Sequence, residues 1–133
     1  MKKLLTLFAL IALAMPAMAQ KPHPLEGRWK EGNLEIRIAP CGSMMCGTVV
    51  GASEKQKARA KKGSGIDLIG STLIRDIRPD GKPGHYKGKV FVADRNMNAS
   101  GSIQQLGPNR IKVKGCVVLG IFCKAEEWVR VGD

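Results

Sequence analysis

The sequence predicts an all-β fold, a single antiparallel β-barrel of about eight strands with one short helix or basic loop. Three segments alternate apolar and charged residues, namely Leu34–Ile38, Arg110–Lys114 and Trp128–Val131. A strand with one buried face requires this period of two. The 133 residues also include 16 glycines, a high share that favours many tight turns. These patterns exclude a coiled-coil protein and a multi-domain enzyme.

Further strand candidates alternate less regularly. They are Val49-Val50, Leu68–Ile77, Lys87–Val92 and Ser100–Leu106. Turn signals separate the candidates at Glu31–Asn33, Gly42-Ser43, Pro79–Gly81 and Gly107–Asn109. Seven or eight short strands at this spacing fit a meandering barrel or a sandwich.

The N-terminus has the pattern of a secretory signal peptide. Two lysines precede the apolar run Leu4–Ala14, and Ala17-Met18-Ala19 forms a small-x-small cleavage site. The run is shorter than the roughly 20 residues that span a bilayer, so we expect no integral membrane protein. Residues 1–19 are therefore predicted to be removed, leaving residues 20–133 as one periplasmic or secreted domain.

Four cysteines fall within the predicted domain, where an oxidising compartment favours disulfides. Cys41 and Cys46 are separated by four residues, and Cys116 and Cys123 by six. A hairpin between strands brings the two ends of each loop within bridging distance. The spacing therefore favours the local pairs Cys41–Cys46 and Cys116–Cys123 over the two long-range pairings. It is a poor match to a four-thiolate zinc site.

The segment Ser53–Lys62 breaks the strand pattern. Ser53 and Gln56 have the spacing of a helix capping box, although no apolar stripe follows them. Five basic residues lie within eight positions of a chain whose net charge is +11. They are Lys55, Lys57, Arg59, Lys61 and Lys62.

Two interpretations of this basic segment stay open. It either docks on an anionic component of the cell envelope or is a solvated segment that keeps the protein in solution. We expect no nucleic-acid partner, because Tyr86 is the only tyrosine and few aromatic residues accompany the charge.

Trp29 and Trp128 lie in the first and last alternating segments. Closing a barrel pairs these strands, which predicts two indoles close together, either lining a cavity or packed where the barrel closes. The apolar stretch Val117–Phe122 between two cysteines is expected to fold over the end of the barrel or to form a contact surface.

Several short motifs match those of one family. They are Gly27-Arg28-Trp29, Cys46-Gly47, Gly115-Cys116, Phe122-Cys123 and Trp128-Val129-Arg130. From about Leu25 to Val131 the sequence resembles the DUF2147 family of small exported bacterial proteins of unknown function. The resemblance implies a calycin- or lipocalin-like barrel and implies no activity. Tyr86 and Phe91 lie in the middle region, where the family carries aromatic residues, and are further candidates to line a ligand site.

The leading functional hypothesis is a non-enzymatic binding protein for a small apolar or amphiphilic ligand. The alternatives are a docking module that uses the basic segment, and a small hydrolase or inhibitor. His23 and His85 lie near no nucleophile or metal motif, and Gly63-Ser64-Gly65 lacks the pattern of a nucleophile elbow. We therefore predict no catalytic residue, no metal and no cofactor.

Overall fold

The computed structural model describes residues 22–117 and 121–133, which form eight strands and one helix. The strands are β1 (Gly27–Glu31), β2 (Leu34–Cys41), β3 (Met44–Gly51), β4 (Thr72–Pro79), β5 (His85–Val92), β6 (Met97–Gly107), β7 (Arg110–Val117) and β8 (Phe122–Gly132). The helix, α1 (Glu54–Ser64), connects β3 to β4. The predicted signal peptide, residues 1–19, lies outside the described residues.

Each strand pairs antiparallel with its neighbour in sequence, and β1 pairs with β8 to close the barrel. The sequence-based prediction of an antiparallel barrel is therefore confirmed, and the sandwich is excluded. One predicted strand begins too early. Residues 68–71 form the turn before β4, where Gly70 has a φ of 87°, a left-handed conformation that glycine adopts readily in tight turns.

One end of the barrel is filled by a packed core. Trp29, Ile38, Ile77 and Ile111 are buried there in one apolar cluster, to which Leu25 also belongs. Bulky side chains from neighbouring strands leave little space at this end, as in other well-packed interiors.

The segment 22–26 belongs to this closed end. The side chain of Arg130 donates hydrogen bonds to the carbonyls of Pro24 (2.6 Å) and Glu26 (2.5 Å). The indole N–H of Trp29 donates to the carbonyl of Leu25 (2.8 Å). His23 packs on Tyr86, with ring centroids 5.4 Å apart.

Trp29 and Trp128 belong to one buried cluster, but they do not lie directly opposite each other. In the β1–β8 register Trp29 lies opposite Arg130, and the guanidinium carbon of Arg130 lies 4.3 Å from the centroid of the Trp29 ring. Trp128 is also buried, but it lies two residues nearer the other end. The residue directly opposite Trp29 thus forms a cation–π contact with it, and Trp128 is its diagonal neighbour on β8.

Helix α1 begins with the predicted capping box. The Ser53 side chain accepts a hydrogen bond from the Gln56 backbone N–H, and the Gln56 side chain accepts one from the Ser53 backbone N–H. Gly65 ends the helix in a left-handed conformation, with its N–H donating to the carbonyl of Lys61. Among the described residues, no helix is long and apolar enough to cross a membrane.

Candidate functional site

The end of the barrel opposite the closed end is hollow. A cavity of about 870 Å³ opens there between the ends of the strands and helix α1. Most of its wall is apolar, with side chains that include Ile36, Leu73, Ile74, Val90, Met97 and Val113. The barrel interior is therefore filled at one end and hollow at the other, in the size range of small-molecule sites.

A polar group lies on the β1–β8 side of this cavity. Glu31, Lys124 and Glu126 all line it, and Lys124 Nζ lies 2.9 Å from Glu126 Oε1. Burial raises the pKa of the Glu31 carboxyl, and the charge and hydrogen bond of Glu126 raise it further, against the opposing effect of Lys124. The group therefore holds two interacting carboxyls beside an apolar wall.

Helix α1 forms part of the rim of the cavity. Gln56, Arg59 and Ala60 contribute to its lining, and Ala60 is only 2% exposed. Near its end the helix touches the β5–β6 turn so closely that a Cβ on Gly63 would lie 2.2 Å from the backbone oxygen of Asp94. The helix is thus anchored on the barrel, although its sequence has no apolar stripe.

Replacing Gly63 with alanine is expected to lower the free energy of unfolding by about 1–2 kcal/mol. The added methyl group meets backbone atoms that no rotamer change can move, and this overpacking outweighs the gain in helix propensity. Gly107→Ala is the control, because a Cβ there has no neighbour within 4 Å. Urea titrations measure both variants, and a Gly63→Ala variant as stable as Gly107→Ala would contradict the close contact.

The five basic residues of the predicted segment differ in their contacts and in their exposure to solvent. Within the described chain, Lys57 pairs with Glu54 (2.7 Å) and Lys61 pairs with Asp67 (3.3 Å). Arg59 lines the cavity, and Lys55 and Lys62 are exposed. The helix therefore presents part of its positive charge to solvent beside the open end.

The four aromatic candidates separate into two pairs. Trp128 and Phe91 line the cavity. Trp29 and Tyr86 are not among its lining residues and pack in the closed-end core. Of the four, only Trp128 and Phe91 are therefore placed to contact a ligand in the cavity.

The disulfides join neighbouring strands at opposite ends of the barrel. Cys41 is bonded to Cys46, with Cα atoms 5.5 Å apart, and Cys116 to Cys123, with Cα atoms 4.1 Å apart. These are the local pairs that the spacing favours. The first links β2 to β3 at the closed end, and the second links β7 to β8 beside the cavity, which Cys123 helps to line.

The described residues of the hairpin between β7 and β8 lie at the open end of the barrel. Ile121 and Phe122 line the rim of the cavity, yet they are 71% and 65% exposed. Val117 also lines the cavity, and residues 118–120 of the predicted stretch lie outside the described part of the chain. Of the two alternatives for this stretch, the exposure of Ile121 and Phe122 favours a contact surface.

Comparison with known proteins places this barrel in a family. The family model described as "Uncharacterized protein conserved in bacteria (DUF2147)" matches residues 27–130. The chain belongs to the DUF2147 family. This confirms the resemblance that the cysteine and tryptophan motifs suggested. No curated protein matches the chain.

A solved structure supports the architecture of this DUF2147 protein. Protein HP1028 from the human pathogen Helicobacter pylori, described as belonging to the lipocalin family, is similar with a TM-score of 0.60. The two share 14% identity over 82% of this chain and 84% of that chain. The likeness shows the fold alone, a lipocalin-like β-barrel, as the sequence predicted.

The carboxyl pair of the cavity belongs to none of the motifs that mark candidate site residues in the sequence of this DUF2147 protein. Glu126 lies two residues before Trp128, and Glu31 lies two residues after Trp29. The period of two along each strand places each acid on the same face as its tryptophan, which is the inner face. That signal was available once the tryptophans were taken as buried. Groups of three or more potential metal ligands are absent from the described residues.

Glu31→Gln is expected to stabilise the protein more at pH 7 than near pH 4.5. Because the pKa of Glu31 is raised in the folded state, the folded protein takes up this proton at a higher pH than the unfolded chain. The native state therefore carries a penalty above the raised pKa, and that penalty disappears as the pH falls towards 4.5. Urea midpoints of wild type and variant across this range measure the effect. A pH-independent difference would contradict it.

Proposed function

We propose that this DUF2147 protein is a non-enzymatic binding protein that holds a small apolar or amphiphilic ligand inside its barrel. The observation that carries the proposal is the open cavity of about 870 Å³ with its mainly apolar wall. Burying apolar ligand surface in such a site is favourable by about 25 cal/mol per Å². The polar group on the β1–β8 side suits the polar end of an amphiphile.

We also propose that the protein acts outside the cytoplasm, in the periplasm or after secretion. The two disulfides support an oxidising compartment, and the pattern of residues 1–19 supports export. On this proposal residues 1–19 are removed as a signal peptide, and residues 20–133 fold as the ligand-binding domain.

Fluorescence titration with the apolar probe N-phenyl-1-naphthylamine tests ligand binding. Wild type should bind one probe molecule and enhance its emission. Ala99→Phe fills the cavity from its wall and should abolish the enhancement. Val50→Phe is the matched control, because Val50 is 43% exposed and does not line the cavity. Equal emission from wild type and Ala99→Phe would contradict binding inside the barrel.

A second candidate function is docking on an anionic surface of the cell envelope through helix α1. The observation that favours it is that the exposed lysines of α1 lie at the same end of the barrel as the exposed Ile121 and Phe122. Positive charge beside protruding apolar side chains suits the interface of an anionic membrane. A ligand entering or leaving the cavity would then pass close to that surface.

Replacing Lys55, Lys57, Lys61 and Lys62 with glutamine should weaken adsorption to vesicles that contain an anionic phospholipid. The loss should be largest at low salt, where exposed charges act over a long distance. The control variant has the same change in charge and replaces four exposed lysines of the barrel strands with glutamine. These are Lys87, Lys89, Lys112 and Lys114. Vesicle co-sedimentation measures both variants. Equal binding of the two variants would contradict a specific role for α1.

A further inference from the structure

Two arginines border the cavity on the side of helix α1. Arg59 lies on α1 and Arg95 in the β5–β6 turn, and both line the cavity and are exposed to solvent. We call them the rim arginines. A smaller cleft of about 390 Å³ adjoins this side and is lined by Arg59, Lys62, Gly63 and Asp94. Positive charge is therefore concentrated where the helix meets the turn.

Helix geometry explains why Arg59 lies at the mouth of the cavity. Arg59, Ala60 and Gly63 lie three, four and seven positions after Gln56, which places these residues on one face of α1. The first three residues of this face line the cavity, and Gly63 packs against the backbone of Asp94. This face of the helix is thus the one turned towards the barrel.

Arg95 is placed by the same contact between helix and turn. It directly follows Asp94, against which Gly63 packs, and its backbone N–H donates to the carbonyl of Val92 (3.2 Å). The next residue, Asn96, has a φ of 49°, a left-handed conformation that asparagine adopts more readily than most residues. The fold therefore positions the rim arginines on the two sides of one junction.

The positive charge of this junction is not neutralised within the protein. In the described part of the chain neither rim arginine forms an ion pair, and Asp94 forms one with neither of them. On the β1–β8 side of the cavity, by contrast, Lys124 is already paired with Glu126 (2.9 Å), to which Glu31 is also hydrogen-bonded. The charges on that side compensate one another, whereas two guanidinium groups on the helix side have no carboxylate.

We propose that Arg59 and Arg95 bind the anionic head group of a single-chain amphiphile whose alkyl chain lies in the cavity. This inference rests on the proposed ligand-binding function and names the charge class of the ligand. A guanidinium group donates hydrogen bonds to the oxygens of a carboxylate or a phosphate. Because the rim arginines are exposed, the head group keeps part of its hydration. Only the alkyl chain has to leave water for the apolar wall.

Three probes with the same twelve-carbon chain separate the possible head groups. Dodecanoate is anionic at pH 7.5, dodecylammonium is cationic and dodecan-1-ol is neutral. Each is titrated below its critical micelle concentration against bound N-phenyl-1-naphthylamine. Wild type should bind dodecanoate at least about tenfold more tightly than dodecylammonium, because the rim arginines attract one head group and repel the other. A head group held by Glu31 and Glu126 would give the opposite preference.

Replacing both rim arginines with glutamine tests their role. The double variant Arg59→Gln, Arg95→Gln should weaken dodecanoate about five- to twentyfold, as expected for the loss of two exposed ion pairs. Its affinity for dodecan-1-ol should stay within about twofold of wild type, which shows that the cavity is intact. Arg59→Glu, Arg95→Glu should bind dodecylammonium more tightly than dodecanoate.

A variant with the same change in net charge provides the control. Lys112 and Lys114 are exposed on β7 and do not line the cavity. Lys112→Gln, Lys114→Gln should therefore weaken dodecanoate by less than about twofold, because salt screens exposed charges that lie far from the head group.

The outcomes distinguish this inference from the function on which it rests. If wild type bound dodecylammonium as tightly as dodecanoate, the anionic site would be overturned while ligand binding stayed intact. An equal loss of dodecanoate affinity in the arginine and lysine variants would assign the preference to net charge, and would overturn the site in the same way. If wild type bound neither the fluorescent probe nor any twelve-carbon compound, the proposed function would fail and this inference with it.

Discussion

Trp29→Ala is expected to lower the free energy of unfolding by about 3–5 kcal/mol. The side chain is fully buried in the closed-end core, and removing a large aromatic ring from such a position leaves a cavity. It also removes the hydrogen bond to Leu25 and the face on which Arg130 lies. A domain of this size has about 5–15 kcal/mol of total stability, so the variant should be marginal. Urea unfolding followed by circular dichroism measures the loss.

Trp29→Phe is the control for this prediction. This variant cannot donate a hydrogen bond to the Leu25 carbonyl. Because it keeps an aromatic ring in the core, it should lose less stability than the Trp29→Ala variant does. A loss below about 1 kcal/mol for Trp29→Ala would show that the closed end is not the main packed core. Ligand binding should be retained by Trp29→Phe, because Trp29 is not among the residues that line the cavity.

Arg130→Lys is expected to be the second most damaging change, with a loss of about 2–3 kcal/mol. The planar guanidinium donates to the carbonyls of Pro24, Glu26 and Pro108 while it lies over Trp29. Lysine keeps the charge but has a single nitrogen, which cannot reproduce these contacts. Hydrogen bonds from charged donors contribute about 1.5–3 kcal/mol each when buried, and partial exposure reduces that here.

A double-mutant cycle between Trp29→Phe and Arg130→Lys isolates their contact. Because the two side chains touch, their effects on stability should be non-additive by about 0.5–2 kcal/mol. The same cycle between Trp29→Phe and Trp128→Phe should be closer to additive, since Arg130 rather than Trp128 lies opposite Trp29. The reverse result would support the indole pair that the sequence alone suggested.

The strands and the helix start were predictable because they depend on local patterns. Alternation in Leu34–Ile38 and Arg110–Lys114 reflects one buried face, and both segments lie within strands. The capping box of Ser53 and Gln56 needs only a spacing of three residues. The disulfide pairs were favoured for the same reason, since each joins the two sides of one hairpin.

The cavity and its polar group depend on contacts between distant parts of the chain. Glu31 meets Glu126 because β1 pairs with β8, and the order of residues within each strand does not indicate the register. Arg130 donates hydrogen bonds to the carbonyls of Pro24 and Glu26, which are similarly distant from it in the sequence. Gly63 fits against Asp94 only because the helix lies on the β5–β6 turn. Composition also could not show that one half of the barrel is filled and the other hollow.

Native mass spectrometry of the protein isolated from the periplasmic fraction of expressing bacteria tests the central claim most directly. If the barrel holds a ligand, wild type should carry one additional small-molecule mass, which excess N-phenyl-1-naphthylamine displaces. Ala99→Phe, with its cavity filled, should appear at the mass of the bare chain, while Val50→Phe should keep the adduct. Wild type found only at its bare mass, and unable to take up the added probe, would contradict a ligand-binding barrel.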